Sequence, residues 1–60
     1  MREFTCLTFE TGSASPSQTF ILAEDEARAR RRILAELHSN MNAVSVEIYE
    51  AGKLLWTENA

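Results

Sequence analysis

Four arginines within five positions, Arg28, Arg30, Arg31 and Arg32, are the side chains of this sequence best equipped for chemistry. A guanidinium presents a planar fork of donors that matches phosphate and carboxylate oxygens, so such a run can hold a nucleic-acid backbone or an acidic protein surface. Glu24, Asp25, Glu26 and Glu36 surround it, and mixed charge at this density also makes an ordinary solvated helix face. The net charge of −3 supplies no global positive field to draw in nucleic acid. A protein partner is therefore the leading expectation, and a small nucleic-acid-binding module that turns Arg28, Arg31 and Arg32 to phosphates is the alternative.

Other reactive types are sparse. Cys6 and His38 occur once each, fewer than the ligands a metal site needs, and no intramolecular disulfide can form. A lone cysteine inside an apolar strand behaves as a small inert hydrophobe. Gly12 and Gly52 are isolated turn glycines with no phosphate loop around them. A chain of this length and layout offers no cleft of the usual volume. The reading is of a protein that is not an enzyme and needs no metal or cofactor.

The element that positions the arginines is Glu24 to Met41, the only stretch with apolar residues at helical spacing. Ile33, Leu34, Leu37 and Met41 fall on one stripe, with Ala27 and His38 on its margins. Arg28, Arg31 and Arg32 point to solvent. Arg30 lies in the middle of the stripe and must snorkel outward or pair with Glu26. Acids in the first turn favour the positive end of the helix dipole, and Asp25 is the better N-cap by type. Glu24 with Arg28 and Glu26 with Arg30 are acid-before-base pairs at i,i+4. An Asn among Asn40 and Asn42 is expected in the left-handed position that ends the helix.

Strands flank this helix. Arg2 to Glu10 reads as a first strand and Gln18 to Leu22 as a second, joined through the Gly, Ser and Pro of 11–17 and paired antiparallel. Val44 to Tyr49 alternates cleanly, and after a tight turn over 50–53 Leu54 to Thr57 returns as a fourth strand. The tail 58–60 is expected to fray. The whole is one domain over 1–60, an α+β protein of order ββαββ, with a four-stranded, mainly antiparallel sheet and one helix packed on one face. Its composition, 45% apolar and 25% charged, is that of a folded chain. Without a membrane span or a signal-like segment it is expected to be cytoplasmic.

One helix covers one face of a sheet. Giving Phe4, Cys6, Phe20, Leu22, Val44, Val46, Ile48, Leu54 and Trp56 to that face leaves Leu7, Phe9, Ile21, Tyr49 and Leu55 on the other. That remainder reads as a contact surface, with Phe9, Tyr49 and Leu55 its expected contact residues. Twist or a bulge that tucks some of them into the core is the competing outcome, and either register is open to the fourth strand. An unpaired edge strand adds a second place where another copy could join, so a homodimer is expected.

The run from ILAEDEARARRRIL through VSVEIYEAGKLLW resembles the second half of several small bacterial and phage-encoded ββαββ proteins, among them some anti-CRISPR inhibitors. The resemblance rests on element order. It implies a compact non-catalytic inhibitor that blocks a larger complex by occupying a surface, through the sheet face or the helix arginines.

Overall fold

Phe and Thr at close spacing favour extended backbone, and the computed structural model, which describes residues 1–60, places β1 over Arg2–Glu10 and β2 over Ser17–Ala23. They pair antiparallel without irregularity from Arg2 opposite Ala23 to Thr8 opposite Ser17. β3 (Ala43–Glu50) takes the other side of β1, and β4 (Lys53–Asn59) follows β3. The sheet order is β2-β1-β3-β4. Since β2 and β3 are both antiparallel to β1, they run parallel to each other with β1 between them. A hairpin cannot join parallel strands, so the chain must cross over the sheet. α1 (Glu26–Ser39) is that crossover.

Asp25 caps the helix, its side chain accepting from the Arg28 N–H at 2.9 Å. The buried stripe is Ala29, Ile33 and Leu37, at i, i+4 and i+8. The expected stripe is thus shifted by a turn toward the N-terminus. Met41 lies past the last turn and is 99% exposed, Ala27 and His38 face solvent, and Leu34 packs half-buried against the core. No left-handed asparagine ends α1. Asn40 is extended (φ −101°, ψ 106°), and its side chain bridges outward: Nδ2 donates to Glu10 at 2.8 Å and Oδ1 accepts from the Asn42 N–H at 3.0 Å. This ties the helix end to the end of β1.

Against that stripe the sheet sets Phe4 and Cys6 from β1, Ile21 and Ala23 from β2, and Ala43, Val46 and Ile48 from β3. β2 therefore has the phase opposite to the expected one. Ile21 is buried, while Phe20 and Leu22 are 61% and 55% exposed. Two irregularities move further residues. Val44 is the extra residue where Phe9 faces Ser45 but Glu10 faces Ala43, and it is exposed instead of inward. Leu55 is extra where Ile48 faces Trp56 but Tyr49 faces Leu54. A bulge breaks the alternation of a strand, and both Leu55 and Trp56 pack against the core. Leu54 takes the place beside Tyr49 on the far face. The tail does not fray at 58–59: Glu58 and Asn59 pair with Val46 and Ser45, and the Ala60 N–H donates to the Val44 carbonyl at 2.9 Å.

The β3–β4 hairpin turns on two residues, Ala51 (φ 52°) and Gly52 (φ 79°). Positive φ at both centres is the geometry whose twist matches the flanking strands. Glycine adopts it freely, whereas Ala51 carries a cost of about 1–2 kcal/mol.

At one end of the sheet Arg2 grips Glu50 in a two-pronged ion pair, Nε to Oε2 at 2.8 Å and Nη2 to Oε1 at 2.6 Å, with its guanidinium 5.0 Å from the Phe4 ring centre. Hydrogen bonding from Arg2 holds the Glu50 carboxyl below its ordinary value of 4.5. A carboxyl depressed by folding stabilises the native state above its unfolded value, and that contribution disappears as pH falls through the folded one. Arg2→Met should therefore lower the urea midpoint at pH 7, modestly for so exposed a pair. The gap between the two proteins should close well below pH 4.5. A gap that persists unchanged in acid would mean that Arg2 acts through packing on Phe4 instead.

Candidate protein interface

The helix lies on one face, and no element covers the other. Strand register lines that outer face up in rows. Phe20, Thr5, Tyr49 and Leu54 form one row across all four strands, and Gln18, Leu7, Glu47 and Thr57 form the next. Phe9 heads a third with Ser45 and Asn59, and Leu22 lies opposite Glu3 at the other end. Six large apolar or aromatic side chains, Leu7, Phe9, Phe20, Leu22, Tyr49 and Leu54, thus share one surface. Those on the central strands are half-buried by their neighbours, and those on the edge strands are exposed.

Of the residues expected here, Leu7, Phe9 and Tyr49 are in place and Leu55 is not, because of the bulge at Leu55. Ile21 is likewise in the core. Phe20, Leu22 and Leu54 take their places. In β2 the run Phe20-Ile21-Leu22 fits either phase, so apolar pattern alone could not choose. Ala23 was the usable signal: a small residue where the chain rises into the helix lies on the helix face, and Ile21, two positions earlier, must share it.

The charges on this face are Glu3 and Glu47, with no basic residue beside them. Glu47 accepts from the Tyr49 hydroxyl at 2.8 Å. That hydrogen bond raises the Tyr49 pKa and holds the phenol along its own strand, β3. The extents of the molecule are 33 × 21 × 15 Å, so the uncovered sheet face is one of its broad sides.

The arginines are dispersed. Arg28 is 3.8 Å from Glu24. Arg30 pairs with Glu26 and stacks 5.2 Å from the Trp56 ring centre, as its position in the stripe requires. Arg32 donates to the Leu22 carbonyl at 2.9 Å, which ties the helix to the edge of β2. Arg31 alone is exposed without a hydrogen bond or ion pair. No convergent cradle for a phosphate forms from Arg28, Arg31 and Arg32.

Cys6 is fully buried, and burial pushes its thiol up to about 11, which keeps it protonated and unreactive at neutral pH. A hollow of about 210 Å³ opens between β2 and the helix start, lined by Met1, Leu22, Ala23, Glu24, Arg28 and Arg32. It is below the roughly 300–1,000 Å³ of small-molecule sites. No helix is long and apolar enough to cross a membrane. Comparison with protein families, characterised proteins and solved structures found no match.

Proposed function

We propose that this chain is a non-catalytic protein-binding module, a homodimer that acts by occupying a surface of a larger partner with the outer face of its sheet. Blocking that partner, as an inhibitor of the phage-encoded kind does, is the mode of action such a module allows. The observation that carries the reading is the uncovered apolar band of Leu7, Phe9, Phe20, Leu22, Tyr49 and Leu54. A contiguous apolar surface is costly to leave in water and is the usual mark of an interaction site. Its only charges are acidic, Glu3 toward one end and Glu47 in the middle row beside Leu7, which fits a partner surface that is apolar with basic groups set among its apolar ones. Tyr49 is the natural anchor, since an aromatic ring with one hydroxyl held in place loses little entropy on binding.

The test is retention of partners from an extract of the producing cells on the immobilised chain and on three variants. A protein held by the native chain and by Arg31→Glu, but released by Tyr49→Glu and by Leu7→Glu, is the expected result. A partner that ignores both outer-face changes overturns the reading. Binding of DNA or RNA that falls steeply with salt, and is weakened by Arg31→Glu, would replace it with the nucleic-acid alternative.

A further inference from the structure

We propose that the homodimer of the preceding section forms by antiparallel pairing of β2 with β2 of a second copy, about a two-fold axis at Phe20. The inference rests on that homodimer reading and names the edge, the register and the groups that make it.

The two edges of the sheet differ. β4 is blunted by the bulge at Leu55 and carries Lys53 and Glu58, the devices that discourage strand addition. β2 has none of these. Ser17–Ala23 contains no charge, glycine or proline, and its pairing to β1 is regular over all seven residues. Two copies that each carry a net charge of −3 would meet along a neutral seam.

The ladder shows which backbone groups are open. The Val44 and Val46 carbonyls accept from β4, so the backbone groups of Ser45, Glu47 and Tyr49 face β1, and the positions of β1 opposite them face β3. Those of Phe4, Cys6 and Thr8 then face Ile21, Thr19 and Ser17. The Leu22 carbonyl, which accepts from Arg32, is thus turned away from β1. In an antiparallel ladder the N–H and C=O of one residue point the same way, and the direction alternates along the strand. Gln18, Phe20 and Leu22 therefore turn all their backbone donors and acceptors outward, while Thr19 and Ile21 bond to β1. An axis at Phe20 pairs Phe20 with its own counterpart and Gln18 with Leu22 of the second copy. All three are hydrogen-bonded positions, so every open group of the segment finds a partner. Arg32 need not leave, since a carbonyl oxygen accepts twice.

Side chains agree with the backbone. Phe20 and Leu22, exposed on this edge, would lie against Phe20 and Gln18 of the other copy. Such pairing sets both helices on one side and joins the two outer faces on the other into one surface twice as wide. It also closes: once both β2 edges are used, only the blunted β4 edges remain, so assembly stops at two. Face-to-face pairing would instead bring Glu3 and Glu47 of both copies together with no base between them. A seam of one strand pair is small, so the dimer is weak and forms at micromolar concentrations and above.

The experiment is sedimentation equilibrium on the synthetic chain from micromolar to millimolar concentration, with three variants. The native chain should rise from 6.8 kDa toward twice that mass. N-methylation of the Phe20 amide deletes an outward donor and none bonded to β1, so circular dichroism should be unchanged while the dimer dissociation constant rises at least tenfold. Gln18→Pro removes a second outward donor on the same edge and should act alike if the methylated chain folds poorly. Tyr49→Glu, two strands away, should leave the dimer intact. A chain that stays at 6.8 kDa throughout overturns the homodimer, and with it this register, but leaves partner binding by the outer face standing. A dimer indifferent to both edge changes overturns only the β2 pairing, and its loss in Tyr49→Glu would assign it to the outer face.

Discussion

Phe4→Ala should remove at least about a third of the stability of this protein, and all of it if the chain lies at the low end of the range for its size. Phe4 is fully buried on β1, a central strand, and heads the largest side chains of the core. Truncating a buried phenylalanine costs about 3–5 kcal/mol, through lost transfer energy and the cavity left behind. A domain of 60 residues, at about 0.05–0.15 kcal/mol per residue, has only about 3–9 kcal/mol in total. Only 11 of its 60 residues are buried, so few neighbours can collapse into the space. Urea titration of the two proteins followed by circular dichroism reads the result directly. A midpoint within a tenth of the native one would show that the inner face is much less tightly packed than described.

The elements themselves were legible because each carries a local signal. Asp25 marks the helix start by type, the acids before arginines do pair, and Gly52 marks the hairpin. The fold class follows from their order, since a helix between two hairpins has one sheet to cover. Faces were harder to read. Ile33 and Leu37 settle the helix stripe only together with Ala29, a small residue that carries little hydrophobic signal yet is wholly buried. In the strands, three large apolar residues in succession leave the phase undetermined, and both such runs were misassigned: Phe20-Ile21-Leu22 by one residue, and Leu54-Leu55-Trp56 by a bulge that no local residue type announces. Val44 was lost to the other irregularity. The uncovered outer face therefore keeps Leu7, Phe9 and Tyr49 of the expected set, while Ile21 and Leu55 give way to Phe20, Leu22 and Leu54.

The arginine run shows a related limit. Its helical angles correctly set Arg30 apart, but not that Arg32 would reach past the helix to a strand carbonyl. That contact depends on β2 lying at the sheet edge, and strand order is not written in any one segment. A basic run that looks available for phosphates is, in two of its four members, already engaged: Arg30 with Glu26 and Trp56, and Arg32 with β2. What is left open to solvent is Arg31, with Arg28 beside Glu24, and the uncovered sheet face, and of these only the face is an extended surface.

The phase of β2 makes the second large prediction, because it reverses the fate of two adjacent residues. Ile21→Asp should unfold the chain at neutral pH, whereas Phe20→Asp should leave it folded. Ile21 is 6% exposed among Phe4, Ala23 and the helix stripe. No basic side chain is buried there to compensate a carboxylate, and an unpaired buried charge costs several kcal/mol, comparable to the whole stability of a domain this small. Phe20 is 61% exposed on the far face of an edge strand, where a carboxylate stays hydrated. The cost there is limited to strand propensity and a lost contact with its row, about 1 kcal/mol. Thermal melts of the two variants distinguish the phases: a folded Ile21→Asp beside an unfolded Phe20→Asp would place Phe20 and Leu22 under the helix and remove them from the outer band. With the described phase, the surviving Phe20→Asp chain is also the sharper reagent. It puts a charge at the β2 end of the outer-face row without touching the core, so a partner that needs that end of the row must let it go, and the β2-paired dimer, whose axis passes through Phe20, should dissociate as well.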